Sequence, residues 1–140
     1  MGRILGVDFG SKRLGLSRSD PTKLIASPLK TIIAGKTLEE TADSILKQLE
    51  EVETIVLGLP LLLSGKDSET TTTVRKFAEI LAKKSHLPLV LWDERLTSKE
   101  VEKLLIEGRV SRKNRSNHID TMSATLILQN YLDRNPDGLR

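Results

Sequence analysis

The segment Arg3-Ile-Leu-Gly-Val-Asp8 is an apolar run of strand length that ends at an acid and is followed by the turn residues Gly10 and Ser11. Two further extended segments lie at residues 13–17 and 24–33, and turn-forming residues separate all three. The chain is therefore predicted to begin with a meander of antiparallel strands.

Helices and strands alternate after this meander. A capping box at residues 37–40 opens a first helix, and strands at 54–57 and 88–92 flank a second helix. Another capping box at 97–100 opens a further helix, and a last helix covers 117–132. The apolar residues that recur at helical spacing are Leu38, Ala42, Ile45 and Leu49 in the first helix, Val74, Phe77, Ala78 and Leu81 in the second, and Ile119, Met122, Leu126 and Ile127 in the last.

This order of elements predicts an α/β fold of three layers, in which a mixed five-stranded sheet lies between helices on both faces. The fourth and fifth strands should run parallel to the first, because each is reached through a helix. Ligands bind beyond the carboxyl ends of the parallel strands in such sheets. Asp8 and Glu94 both lie at such an end, although they are far apart in the chain.

The length of 140 residues suits one domain, 1–140, with a loose tail at about 134–140. The absence of cysteine excludes disulfides, cysteine-ligated zinc and thiol catalysis. The longest uncharged apolar run, at residues 55–63, is too short to span a membrane, and the first residues lack the layout of a signal peptide. These features predict a cytoplasmic protein without a membrane partner.

A net charge of +3 supports nucleic-acid binding only weakly, but the distribution of charge is more informative. Residues 109–118 contain no acid and directly precede Asp120. The segment is consistent with an ordinary solvated loop, and its position also suits contact with a phosphate backbone. Its basic side chains are Arg109, Arg112, Lys113 and Arg115.

Each candidate acid has a simple structural explanation when it is taken alone. Asp8 is placed to start a turn, and Asp120 is placed to favour a helix N-terminus electrostatically. Asp93 and Glu94 are adjacent, so at most one of them can point toward a given site, and composition does not choose between them.

Taken together, the acids form a more specific pattern. Phosphodiester cleavage with divalent ions needs hard oxygen ligands that converge from different elements of the fold. Mg²⁺ prefers carboxylates and keeps part of its shell for water and substrate oxygens, and Mn²⁺ accepts the same ligands. A metal-dependent nuclease is the reaction class that these acids favour.

Four motifs in this order resemble the signature of the YqgF family, the pre-16S ribosomal RNA nucleases that are also called Holliday-junction-resolvase-like proteins. The motifs are Leu5-Gly-Val-Asp-Phe-Gly-Ser-Lys-Arg-Leu-Gly15, Val56-Leu-Gly-Leu-Pro60, Asp93-Glu-Arg-Leu-Thr-Ser98, and Ile119-Asp120 followed by Ile127-Leu-Gln-Asn-Tyr-Leu132. The resemblance implies a ribonuclease H-like fold and processing of the 5′ end of 16S ribosomal RNA. It also implies that Glu94, together with Asp8 and Asp120, forms the catalytic and metal-binding set.

Several neighbouring residues are candidates for binding substrate. Gly10, Ser11 and Lys12 can cradle a phosphate, although a turn glycine beside a solvated lysine explains them as well. Arg95 can clamp a phosphate, and it can equally be the ion-pair partner of the adjacent acids. The basic residues Arg112, Lys113 and Arg115 complete the predicted substrate contacts.

One departure from the family and one difference from the resolvases of the wider superfamily affect the functional interpretation. Leu62-Leu63-Ser64-Gly65 replaces a loop that is often polar in the family. Resolvases place an acid at the end of the fourth strand, where this chain has Gly58, so resolution of branched DNA is the less favoured alternative. A non-catalytic RNA-binding factor in ribosome assembly or transcription is a second alternative. The expected partner is nucleic acid, most simply precursor ribosomal RNA, bound by a monomer or a weak dimer.

Overall fold

The computed structural model describes residues 2–96 and the helix at 115–134, in which side chains are described from residue 121 onward. The elements are β1 (Arg3–Asp8), β2 (Arg13–Ser19), β3 (Ala26–Ile33), α1 (Leu38–Leu46), β4 (Val52–Leu59), α2 (Glu69–Ser85), β5 (Leu89–Asp93), a 3-10 helix (Glu94–Leu96) and α3 (Arg115–Arg134). The predicted capping box at 97–100, its helix and the tail lie outside the described residues.

The strands form one mixed sheet in the order β3-β2-β1-β4-β5. β1 pairs with β2, and β2 with β3, in antiparallel fashion, whereas β4 runs parallel to both β1 and β5. The predicted meander and the predicted parallel strands are both confirmed. As a result β1, β4 and β5 end at the same edge of the sheet.

Side chains on the two faces of the sheet belong to two separate hydrophobic cores. On one face α1 and α2 cover the sheet, and the buried apolar residues of α2 are the predicted Val74, Phe77, Ala78 and Leu81. On the other face α3 packs against Ile4 of β1 and Val56 of β4. Because side chains alternate along a strand, Gly6 of β1 and Gly58 of β4 lie on the same face and contact α3 as well.

The start of α1 is capped differently from the prediction. The Thr37 hydroxyl accepts a hydrogen bond from the Glu40 N–H at 3.1 Å, as a capping box requires. The Glu40 carboxylate, however, accepts from the Lys36 N–H at 2.9 Å rather than from Thr37. The helix ends at Leu46, and Leu49 packs against the core from the segment that follows it.

The buried face of α3 also differs from the prediction. Of the predicted residues Ile127 is buried, Met122 and Leu126 are only half-buried, and the side chain of Ile119 lies outside the described part. The helix also buries Ala124, Leu128, Tyr131 and Leu132. α3 approaches the sheet so closely that the Ser17 hydroxyl donates to the Ala124 carbonyl at 2.7 Å. Gly6 of β1 permits this approach, because an added Cβ atom there would be 2.9 Å from Leu128 Cβ and 3.0 Å from the Ala124 carbonyl oxygen.

Within the two described stretches, no helix is both long and apolar enough to cross a membrane.

Candidate active site

The two acids predicted at strand ends lie together at the carboxyl edge of the sheet. Asp8 is the last residue of β1 and follows Ile4 and Gly6 on the side that faces α3. Glu94 follows β5 directly, and its carboxyl group shares a hydrogen bond with the Asp8 carboxyl group. Two carboxyl groups from strands that β4 separates therefore meet on one face of the sheet.

Glu94 reaches this position by lying over Gly58, near the end of β4. A Cβ atom added to Gly58 would be 2.9 Å from Glu94 Cγ and 3.0 Å from Glu94 Cδ. The same atom would be 2.6 Å from Cδ1 of Ile127 in α3. The glycine thus leaves the space that the acidic side chain occupies between the sheet and the helix.

Burial against this surface raises the pKa of the Glu94 carboxyl above its ordinary value, because a charged carboxylate is poorly solvated there. The hydrogen bond with Asp8 acts in the opposite direction, and the nearby negative charge of Asp93 adds to the increase. A raised pKa favours a proton shared within the acid pair, as in other closely spaced carboxyl pairs.

The neighbouring acid, Asp93, has a different partner. Its carboxylate accepts from Arg95 Nε at 2.9 Å and from Nη2 at 2.6 Å, and the Arg95 backbone N–H donates at 2.9 Å. This arrangement lowers the pKa of Asp93, chiefly through the guanidinium hydrogen bond, and raises the pKa of Arg95. The question that composition left open is answered by geometry, since Glu94 and not Asp93 contacts Asp8.

Arg95 also connects the end of β5 to the loop between β4 and α2. Its Nη1 donates to the Leu63 carbonyl at 3.2 Å. This loop is a tight turn in which Leu61 bridges to Asp67 and Gly65 has a φ of 88°. The turn leaves Leu62 48% and Leu63 93% exposed, and its contact with the end of β5 is through Arg95.

The turn between β1 and β2 lies directly after Asp8. A Cβ atom on Gly10 would be 2.3 Å from the Arg13 carbonyl, so the close approach of the backbone requires a glycine there. Ser11 and Lys12 are exposed at the tip of the turn. These residues lie where the sequence predicted them, next to the first acid.

The remaining predicted site residues follow β5. Arg115 and Asp120 belong to α3, and their side chains lie outside the described part. Arg112 and Lys113 lie outside the described residues altogether. Among the residues that are described, no group of three or more acids, histidines or cysteines is assembled around one point.

Gly58 is the residue of this site that the sequence reading missed as a contributor. The sequence pattern indicated it only as part of the motif at residues 56–60 and as a position where resolvases have an acid. A glycine near the end of an otherwise Val-, Ile- and Leu-rich strand is a general signal that another group approaches the backbone closely.

Comparison with known proteins places this geometry in context. Residues 2–134 match the family model described as "RuvX: Holliday junction resolvase". A protein of Protochlamydia amoebophila is 43% identical, and the match covers 94% of this chain and 93% of the relative. A Koribacter versatilis protein is 44% identical, with 95% and 88% covered, and both relatives carry the name "Putative pre-16S rRNA nuclease".

Among solved structures, Thermus thermophilus RuvC in complex with a Holliday junction superposes with a TM-score of 0.56 at 16% sequence identity. The match covers 98% of this chain and 97% of that one. The fold is therefore that of the ribonuclease H-like α/β proteins. Within this class the chain belongs to the RuvX family, and the predicted resemblance to the YqgF nucleases is confirmed.

Proposed function

We propose that this protein is a metal-dependent nuclease that hydrolyses phosphodiester bonds and processes the 5′ end of precursor 16S ribosomal RNA in the cytoplasm. The observation that carries the proposal is the Asp8–Glu94 acid pair at the carboxyl edge of the sheet. The names of the relatives supply the substrate. We further propose that the chain acts as one domain, as a monomer or a weak dimer.

The acid pair fits a divalent cation. Mg²⁺ and Mn²⁺ prefer hard oxygen ligands, and Asp8 and Glu94 present carboxyl oxygens within hydrogen-bond distance of each other. A pair that shares a proton without metal can bind a cation in its place. When bound, the cation would polarise the phosphoryl group and activate water.

Asp120 is the third acid of the proposed set. It precedes Ala124 by four residues in α3, and residues four apart share a helix face. Ala124 packs beside Gly6, and Asp8 follows Gly6 on the same face of β1. The step from Ala124 to Asp120 along the helix axis and the step from Gly6 to Asp8 along the strand are of similar length, about 6 Å each. The spacing therefore supports Asp120 as the partner of Asp8.

The protein's own residues would hold the substrate while this chemistry occurs. We propose that Ser11 and Lys12, on the turn after Asp8, contact the phosphate backbone on one side of the acid pair. The basic residues Arg112, Lys113 and Arg115, which precede Asp120, would contact it on the other side. Arg95 already donates to Asp93 and Leu63, and its remaining N–H groups are available to a phosphate oxygen.

Cleavage of branched DNA is a second candidate, because the family model carries the description of a Holliday junction resolvase. The lack of an acid at position 58 weighed against it in the sequence. Glu94, however, places a carboxyl group over that position from the neighbouring strand. Substrate preference must therefore come from contacts around the acid pair rather than from the acids themselves.

The proposal is tested by incubating the protein with labelled RNA that carries the 16S 5′ leader, and with a labelled four-way DNA junction, in Mg²⁺, Mn²⁺ or EDTA. Asp8→Asn and Glu94→Gln should each reduce metal-dependent cleavage at least about 100-fold, because each removes a metal ligand. Asp93→Asn is the matched control, since it neutralises the adjacent acid that does not contact Asp8.

Cleavage that persists in EDTA, or in the Asp8→Asn variant, would contradict the metal-dependent mechanism. Binding of RNA without cleavage by the folded wild-type protein would favour a non-catalytic assembly factor. Faster cleavage of the junction than of the RNA would select the resolvase.

A further inference from the structure

The backbone of Gly58 is held in the sheet by its pairing with β5. It pairs with Trp92 in the parallel ladder of β4 and β5, and Leu59 pairs with Asp93 one step further on. The first residue after this ladder is Glu94, whose side chain folds back over Gly58. The paired strands therefore hold the base of the Glu94 side chain at a constant distance from the Gly58 Cα atom.

The backbone conformation of Gly58 does not itself require a glycine, because its φ lies outside the left-handed range. What requires a glycine is the space above it. Cγ and Cδ of Glu94 fill one part of that space, and Cδ1 of Ile127 fills another. A side chain at position 58 must displace the acid, the helix residue or both.

We propose that Gly58 is a positioning residue of the active site. Its missing side chain admits the Glu94 carboxyl group over the end of β4, and this placement brings Glu94 into contact with Asp8. The inference deepens the proposed function and rests on it, because the contact matters for catalysis only if the acid pair binds metal. The acid is thus held by a neighbour that contributes no chemical group of its own.

A test must separate displacement of Glu94 from a clash with α3. Ile127→Val removes the Cδ1 atom that lies 2.6 Å from the added Cβ position. In the Ile127→Val background, Gly58→Ala therefore retains its conflict with Glu94 and loses the closest conflict with the helix. The comparison between Ile127→Val and Gly58→Ala/Ile127→Val isolates the effect on the acid.

Isothermal titration with Mn²⁺ measures the affinity of the wild type and both variants, and crystal structures of both variants locate the Glu94 carboxyl group. We expect Ile127→Val to bind Mn²⁺ like the wild type and the double variant to bind about 10-fold more weakly or worse. In the crystal structure of the double variant, Glu94 should no longer contact Asp8. Should the double variant not fold, the same pair of measurements is made with Ile127→Ala as the background.

The inference would be overturned if the double variant bound Mn²⁺ with an affinity within about 2-fold of that of Ile127→Val, since a difference of about 10-fold is expected. So would a crystal structure in which Glu94 still contacts Asp8. Failure of the wild type to bind Mn²⁺ would contradict the proposed function, and the crystal structures would then decide the role of Gly58 separately.

Discussion

At the scale of single residues, Asp93 and Glu94 are adjacent acids whose environments are opposite. Asp93 is paired with the Arg95 guanidinium, which lowers its pKa, whereas burial raises the pKa of Glu94. Arg95 thus stabilises the charged form of one acid, while burial favours the protonated form of the other. The acid that is costly to ionise is the one that contacts Asp8, as is common for functional carboxyl groups.

The raised pKa of Glu94 leads to a prediction about stability in the absence of metal. Below the ordinary carboxyl pKa of 4.5, Glu94 is protonated in both the folded and the unfolded chain and carries no penalty. As the pH rises, the unfolded chain releases this proton first, so the folded state loses stability until the pH passes the raised folded-state pKa. Glu94→Gln cannot ionise and escapes this loss.

We therefore expect Glu94→Gln to have a higher Tm than the wild type in EDTA near neutral pH. The difference should shrink as the pH falls toward 4.5. Thermal unfolding followed by circular dichroism across this range measures it, with Asp93→Asn as the control. The control should lose stability near neutral pH, because it breaks the pair with Arg95. A Tm difference for Glu94→Gln that grows on acidification would contradict the assignment.

At the scale of elements, the site depends on how the end of β5 is connected to its surroundings. Arg95 joins Asp93 to the Leu63 carbonyl, and so it links the strand to the turn at residues 61–67. This turn is held internally by the Gly65 N–H, which donates to the Leu62 carbonyl at 2.8 Å. The arginine is therefore an external support for the loop that follows β4.

Arg95→Lys should loosen that support, because an ammonium group cannot keep the forked contact with Asp93 while it also reaches Leu63. Loss of a net hydrogen bond of about 1 kcal/mol predicts roughly 5-fold faster hydrogen exchange at the amides of the turn. Exchange measured by mass spectrometry tests this, with Arg3→Lys, at the distant pair with Glu51, as the control. Unchanged exchange at residues 61–67 would show that the turn supports itself.

The position of the Glu94 carboxyl group over β4 predicts that the acid can be supplied from the other strand. In a Glu94→Ala/Ile127→Val background, Gly58→Glu introduces a carboxyl carbon two bonds beyond a Cβ atom that points at the former Glu94 side chain. We expect this triple variant to recover part of the lost Mn²⁺ affinity, by about 10-fold relative to its background. Titration calorimetry measures the recovery, and Gly58→Gln in the same background controls for side-chain size. Equal affinity of the Glu and Gln variants would contradict the prediction.

At the scale of the whole molecule, the two faces of the sheet have different tasks. The face under α1 and α2 holds the larger core, which includes Phe77 and Leu81. The face under α3 holds a smaller core, and the acid pair lies on the same face at the carboxyl edge of the sheet. The proposed site thus lies at one end of one face, and the helix that covers this face begins at Arg115, within the basic segment at 109–118.

Nucleic-acid affinity should fall steeply with salt, because the expected contacts are to phosphates. Charge reversal of Arg112, Lys113 and Arg115 should weaken RNA binding and reduce the slope of log affinity against log salt by about 2, for three lost contacts to a single strand. Fluorescence anisotropy at several salt concentrations measures both quantities. Charge reversal of three exposed lysines, Lys47 at the C-cap of α1 and Lys76 and Lys83 of α2, is the matched control. Equal effects of the two triple variants would contradict a localised binding surface.

The sequence by itself determined the order of the elements, the parallel and antiparallel pairing and the place of Asp8 at a strand end. These features depend on local periodicity, turn chemistry and short connections, all of which can be read along the chain. The bounds of α1, its cap and the buried face of α3 were only approximated. They depend on how each element meets its neighbours, as the contact between Ser17 and Ala124 illustrates.

The residue pattern left open which of Asp93 and Glu94 joins Asp8, and the family resemblance implied Glu94. Only the tertiary structure brought the Glu94 and Asp8 carboxyl groups into contact and identified the residue that makes room for Glu94. The choice follows from the alternation of side chains along β5 and from the Arg95 pair that retains Asp93. The role of Gly58 follows from a strand pair and a helix that meet at one point, although they are distant in sequence. Distances between such residues are set by packing, so no pattern within one segment can predict them.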